Sequence, residues 1–472
     1  MILPIYTPLA VLLVAGFLTP LIGIKLKLFR RVFVTSVMLF SFFFWISLMP
    51  TVLSGEILVF NMNEWAPPLG ITLALDSLSL VLLVLVSGVG LVMSPLIEKF
   101  ITERRSEFYS LFLLMIVGMT GIILTGDLFN LFVFTELMVI SSYALSVFHR
   151  DESGLEAGIK YLLVGGFATS LILLGTALTY GLTGTLNMAD LIAKIKLGHA
   201  LIPLGLIITG YLTEMAIVPF HFWKPDVAEG VSLPLAAMIV SVSTSVAAYA
   251  LLRVLFVFGL LQLNYLFMIL ALVSMVVGAF MALFQKNIYR LLAYSSVSQM
   301  GYILFAFSLG FIGFAAGLFH MVNNALLKIL LFVIVGSIIS KYGRIKKVNM
   351  PLTGACFLLA SLGIAGIPPL NGFASKFLIY EAGIRAGFAL PVLVAIMVSV
   401  ITLAYYLKTF GRLFTGVPRK TEEDKTFLMP ILILTGLCIL LGLFPDLALE
   451  VLRPAAESLI GRTGYYCSVF GC

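Results

Sequence analysis

Charge is scarce in this sequence. Only 11% of its 472 residues are charged, against 61% hydrophobic ones. A soluble globular protein carries about 25% charged residues. The shortage excludes a soluble fold, because no soluble core of this size buries so much apolar surface. Histidine and cysteine are also rare, four of each. No Cys-x-x-Cys pair and no histidine cluster occurs, so nothing points to a metal or iron–sulfur centre in the chain. Cys356 and Cys438 fall in apolar runs and read as packing residues. Cys467 and Cys472 lie in the tail "GYYCSVFGC", where they are free to pair but nothing requires it. The glycines form no phosphate loop, and no polar stretch is long enough to house a nucleotide-binding fold. The net charge of +7 does not call for nucleic acid, since cytoplasmic loops of membrane proteins collect Lys and Arg. The start "MILPIYTPLAVLLVAGF" lacks a basic n-region and a small-residue cleavage site, so it is expected to be a retained first helix.

What the chain has in abundance is long apolar runs. Lipid admits only helices or closed barrels. The runs are about 20 residues or longer and do not alternate, so the expected fold is an all-α membrane protein of about fourteen transmembrane helices. The runs extend from 4–25 to 426–446, with an external loop over 54–76 that contains strand-like pieces. Most Lys and Arg, among them Lys25, Arg30, Arg31, Arg104, Arg105, Arg344, Lys346, Lys347, Arg419 and Lys420, gather at the loops after odd-numbered spans. The other side has only Lys194, Lys196, Arg385, Arg453 and Arg462. That bias places the odd loops in the cytoplasm and both termini outside a cell membrane.

Two spans contain helix breakers. Pro219 interrupts span 7 in "YLTEMAIVPFHFWKPDVAEG", and Pro368 and Pro369 interrupt span 12 in "GIAGIPPLNGFASKF". Broken helices five spans apart suggest two five-helix repeats of inverted topology. The expected organisation is helices 1–3 over 1–107, a first repeat over 108–256, a second over 263–414, and helix 14 with an external tail over 415–472.

Charges inside a membrane cost at least about 2.5–3.5 kcal/mol each on insertion scales, so each one needs a reason. Glu136 lies nine residues beyond Asp127, roughly 14 Å down a helix and near the bilayer middle. Glu214 lies comparably deep. His320, Asn324 and Lys328 recur every four residues and form one slowly drifting polar stripe. Lys376 follows the second break, and Tyr294, Ser295, Ser296, Ser298 and Gln299 make span 10 polar. Bland readings stand beside these: snorkelling for Lys328 and Lys376, a structural acceptor for Glu136, a satisfied core histidine for His320. Together the groups read as a proton relay or ion pathway.

The segments "GDLFNLFVFTELMVISSYAL", "VPFHFWKPDVAEG", "RLLAYSSVSQMGYILFA", "HMVNNALLKILLFVIVGSI" and "GIPPLNGFASKF" resemble the antiporter-like subunits of respiratory complex I, of multisubunit Mrp cation/proton antiporters and of membrane-bound hydrogenases. No long lateral helix is expected after residue 446, so the chain resembles the shorter members and is similar to the Mrp D-type subunit. The resemblance implies fourteen helices with helices 7 and 12 discontinuous. It puts Glu136 on the family's helix-5 glutamate, Lys376 on its helix-12 lysine, and His320 and Lys328 on its central stripe. Asn324 stands where many members have a second histidine. Glu214, Ser245 and Tyr289 each stand where members usually have a lysine. A Glu136–Glu214 pair would not keep both charges, so it is expected to share a proton or hold a cation.

The expected function is therefore that of an ion-translocating subunit in a multisubunit, energy-converting respiratory complex. It would move protons, or exchange Na⁺ for protons, by way of Glu136, Glu214, His320, Asn324, Lys328 and Lys376. The expected partners are other antiporter-like or small Mrp-type membrane subunits and a peripheral redox module, with no cofactor in this chain and no nucleic acid. A structural spacer in the same kind of complex, or a stand-alone cation-coupled transporter, are the alternatives.

Overall fold

Short polar residues set the helix starts. Asp76 accepts the backbone N–H of Ser79 at 2.9 Å, and Asp127 accepts that of Asn130 at 2.8 Å. Asn187, Asn287 and Asp424 cap helices in the same way. Each satisfies an N–H that the helix itself leaves without a partner. The computed structural model describes residues 3–23, 27–148, 151–260, 264–416 and 423–471. Lys25, Arg419, Lys420 and Cys472, used in the sequence reading, lie outside the described residues.

Along the chain run α1 (Thr7–Gly23), α2 (Lys27–Ser47), α3 (Met49–Leu53), β1 (Leu58–Asn61), β2 (Thr72–Leu75), α4 (Ser77–Met93), α5 (Arg105–Leu124), α6 (Leu128–Ser146), α7 (Glu152–Thr183) and α8 (Met188–Lys194). There follow α9 (Leu197–Glu214), α10 (Trp223–Gly230), α11 (Leu233–Met238), α12 (Thr244–Phe258), α13 (Asn264–Phe284), α14 (Ile288–Ser308) and α15 (Phe311–Tyr342). The last are α16 (Pro351–Ala365), α17 (Asn371–Arg385), α18 (Ala389–Phe414), α19 (Lys425–Leu443), α20 (Pro445–Ser458) and α21 (Arg462–Phe470). The strand-like pieces expected in 54–76 are an antiparallel hairpin, with Leu58 opposite Leu75 and Asn61 opposite Thr72. Among the described residues, ten helices are long and apolar enough to cross a membrane. The other four expected spans correspond to α1, the polar α14, and the two broken pairs α9–α10 and α16–α17. The protein is an all-α, multi-pass membrane protein.

Both expected interruptions are present. The first runs from Met215 to Phe222, between α9 and α10, and contains Pro219. Glu214 is the last helical residue before it. Here the freed Val218 N–H donates to Ser274 Oγ at 3.0 Å, so the unwound backbone has a protein partner. The second break lies between Ala365 and Asn371. Gly366 takes φ +87°, which a residue with a side chain disfavours, and Ile367 N–H turns back to Leu362 O at 3.0 Å. Pro368 and Pro369 follow, where the helix cannot continue.

The chain forms two compact units. Unit 1 comprises Met1–Ala216, Ser243–Leu261 and Val451–Cys472. In it α7 packs on α6 and α9, α5 on α1 and α6, and the tail helix α21 on α8 and β1. Unit 2 comprises Ile217–Val242 and Gln262–Glu450. It is built around α15, which touches α14, α16, α17 and α19. Between α11 and α12 the helix widens into a π turn over Ile239–Ser243, a device that often re-aims side chains at functional sites.

Candidate ion pathway

In unit 1 the candidate groups are acidic. Glu214 is 2% exposed, and its Oε2 has no hydrogen-bond partner among the described residues. Glu136, on the third turn of α6, is half-buried, and its Oε2 is likewise unpartnered. The two carboxylates lie within electrostatic reach of each other. The charge of Glu214 also reaches the hydroxyls of Tyr161 and Tyr211. Tyr211 shares a hydrogen bond with Thr135, the neighbour of Glu136, at 3.3 Å. Gly165 makes room here: a Cβ on it would stand 2.9 Å from Val139 Cγ1 and 3.5 Å from Glu214 Oε1. This region thus offers carboxylates and hydroxyls. Ser245, at a position where a lysine is implied by the resemblance, is fully buried and brings no charge.

In unit 2 the candidate groups are basic. Lys328 is fully buried on α15. Its Nζ donates to Leu292 O at 3.0 Å and to Tyr406 OH at 3.1 Å. Tyr405 OH and Tyr406 OH both meet Ser295 Oγ, at 2.9 and 3.0 Å. Lys376, 1% exposed on α17, donates to Ser399 Oγ at 3.0 Å. Its Nζ is also 3.5 Å from Ala365 O, the last residue of α16. A helix C-terminus carries a partial negative charge that favours an ammonium. The break therefore gives Lys376 both its space and part of its stabilisation.

His320 is held in a position suited to either protonation state. Its Nε2 is 3.1 Å from Gln299 Oε1 and its Nδ1 is 3.0 Å from Ser375 Oγ. A charged ring donates at both nitrogens, with the Ser375 hydroxyl turning to Gly372 O, 3.2 Å away. A neutral ring donates from Nε2 and accepts the Ser375 hydroxyl at Nδ1. Neither state requires a heavy atom to move. Asn324, one turn further on, is 2% exposed, and neither polar atom of its side chain has a partner among the described residues. Buried amides are normally satisfied. The neighbouring Asn323 is satisfied, exchanging hydrogen bonds with Asn371 at 2.9 Å in both directions.

One further candidate residue escaped the sequence reading. Lys224, the second residue of α10, is fully buried and donates to Ser296 Oγ at 2.8 Å. Ser296 Oγ in turn donates to Val240 O in the π turn at 2.8 Å. Beside Pro225 and Asp226 it reads as a loop lysine. The available signal was its place five residues after Pro219, just beyond a break that must be enclosed by protein or water.

The family described as NADH:quinone oxidoreductase/Mrp antiporter, transmembrane, matches residues 125–402. The chain belongs to this family. It is 33% identical over 444 residues to the N-type subunit of the NADH-quinone oxidoreductase of Desulforudis audaxviator, covering 85% of this chain and 87% of that protein. It is 32% identical over 445 residues to the D-type subunit of the Na⁺/H⁺ antiporter of Alkalihalophilus pseudofirmus, covering 89% of each. The fold is similar to a chain of the membrane-bound sulfane sulfur reductase, an archaeal respiratory membrane complex, with a TM-score of 0.93 at 30% identity over 98% of this chain and 99% of that one. This chain is thus an antiporter-like membrane subunit. The matched region contains Glu136, Glu214, both breaks and every buried lysine named above. Among the described residues, no group of three or more His, Cys, Asp or Glu is placed to hold a metal ion.

Proposed function

We propose that this chain translocates ions as a membrane subunit of a multisubunit, energy-converting respiratory complex. Its partners are other antiporter-like or small Mrp-type membrane subunits and a peripheral redox module. Protons are the favoured ion, and Na⁺ exchanged for protons is the alternative. One observation carries the proposal: Lys224, Lys328 and Lys376 are buried, and none is paired with a carboxylate among the described residues. A buried charge held for stability is normally paired, because an unpaired one costs several kcal/mol. An amine kept among hydroxyls and carbonyls can instead gain and lose a proton as neighbouring charges change. Lys328 feels both Lys224 and Lys376. A proton arriving at one amine therefore pushes on the next, and His320, which lies within the field of Lys376, can take up and release one in turn.

Glu136 and Glu214 belong to a second ion-handling region within 108–256, the first of the two proposed repeats; Lys328 and Lys376 belong to 263–414. The absence of a lysine at Glu214 and Ser245 favours one further reading, in which this first region is closed and the chain conducts only through its second half or serves as a spacer. The site of action is a cell membrane with both termini outside.

The test is transport by the parent complex in sealed vesicles, followed with a pH-sensitive dye and with radioactive Na⁺. Lys328→Ala and Lys328→Arg should each lower transport by roughly 100-fold while the complex stays assembled, since arginine keeps its proton. Wild-type transport in the Lys328→Arg complex would leave the spacer reading.

A further inference from the structure

Arginines crowd the start of α2. Arg30 donates to Glu98 at 2.8 Å and to Ser106 at 3.1 Å, and Arg105 reaches the same carboxylate at 2.7 Å. Glu98 is therefore fully engaged by two guanidinium groups. Arg31 beside them is half-buried and makes no ion pair or hydrogen bond with a described residue. It lines a pocket of about 290 Å³ together with Val32, Thr35, Ser36, Leu39 and Pro95. The cluster Arg30, Arg31, Arg105 and Glu98 has an excess of positive charge, and Arg31 presents it at the pocket.

The pocket opens on an apolar stripe. Val32, Leu39, Phe40 and Phe43 are all exposed. With Ser36 they recur at helical spacing and share one face of α2. From Val32 to Phe43 the stripe is roughly 16 Å long at about 1.5 Å per residue, about half of a 30 Å hydrocarbon core. A cation with two hydroxyls at one end and one leaflet's depth of apolar surface below has the shape and polarity of an amphiphile. We propose that this groove binds one anionic phospholipid, its phosphate held by Arg31 and Ser36 beside Thr35, whose hydroxyl also meets Ser94 at 3.3 Å, and an acyl chain lying along Leu39 and Phe43. A guanidinium fits a phosphate with paired N–H donors, and basic pockets at the membrane rim select anionic headgroups. The inference is independent of the transport pathway.

The test is native mass spectrometry of the delipidated parent complex titrated with dioleoylphosphatidylglycerol and, separately, with dioleoylphosphatidylcholine. The wild type should show a saturable phosphatidylglycerol adduct that phosphatidylcholine does not match. Arg31→Gln should weaken that adduct by about fivefold, and Arg31→Lys should restore part of it. Ser36→Phe, which keeps the charge and fills the pocket, should weaken it as well. Equal phosphatidylglycerol binding by wild type, Arg31→Gln and Ser36→Phe overturns the proposal. So does a photocrosslinker at position 36 that joins another protein subunit rather than lipid.

Discussion

Lys376 and Tyr302 share one serine. The amine of Lys376 is 3.0 Å from Ser399 Oγ, the hydroxyl of Tyr302 is 2.9 Å from it, and the amine stands 4.3 Å from the centre of the tyrosine ring. Tyr380 OH reaches the same serine at 2.9 Å. A ring face stabilises the ammonium, while the hydroxyl cluster accepts its hydrogen bond without introducing a fixed charge. This geometry accommodates an amine in either charge state, as the proposed function requires.

The buried pair Arg253–Asp76 gives a contrasting case. Its atoms are 2.8 Å apart, each side chain is 3% exposed, and Ser79 and Tyr249 add hydrogen bonds to the guanidinium. Tyr465 of α21 places its ring 5.6 Å from that guanidinium. This is a paired, structural charge. Asp76→Ala should therefore lower stability by about 3–5 kcal/mol, because it leaves the guanidinium buried and uncompensated. The measurement is the thermal midpoint and yield of the complex. An unchanged midpoint would show that the pair is not part of the folded core.

Glu136 and Glu214 should behave as one coupled site that shares a proton, since like charges within electrostatic reach of each other disfavour joint ionisation. Infrared spectroscopy should then show a protonated carboxyl band that disappears in Glu214→Gln. Glu214→Lys should be tolerated, because it forms an acid–base pair with Glu136. No such band, together with stabilisation of the complex by Na⁺ in place of K⁺, would assign the site to a cation instead.

Topology follows from the distribution of basic residues. In a chain whose own cysteines are replaced by serine, Ile460→Cys should react with an impermeant maleimide in intact cells and Ile345→Cys should not. The reverse pattern would invert the orientation.

The fold was largely legible because its signals are local. Apolar runs mark the spans, and Pro219, Pro368 and Pro369 mark the breaks wherever the surrounding protein lies. The exact end of α9 at Glu214 was not legible, since nothing in "TEMAIVP" forbids helix before the proline. Neither was the π turn at Ile239–Ser243, where no Gly or Pro signals a change of pitch. In the site, the stripe His320–Asn324–Lys328 followed from spacing alone. Its partners did not: Ser375, Gln299, Leu292 and Tyr406 come from other helices. Arg253 and Asp76, 177 residues apart, are paired by the tertiary fold and by no motif. Lys224 was visible but ambiguous, because burial of a lysine beside a proline is decided by packing.

The central claim is that buried amines in this chain transfer the ion, and Lys376 tests it most directly. The parent complex containing Lys376→Ala should assemble with wild-type subunit composition and keep its redox activity, yet transport protons or Na⁺ into sealed vesicles at roughly 100-fold lower rate. An assembled Lys376→Ala complex that transports at the wild-type rate would contradict the account.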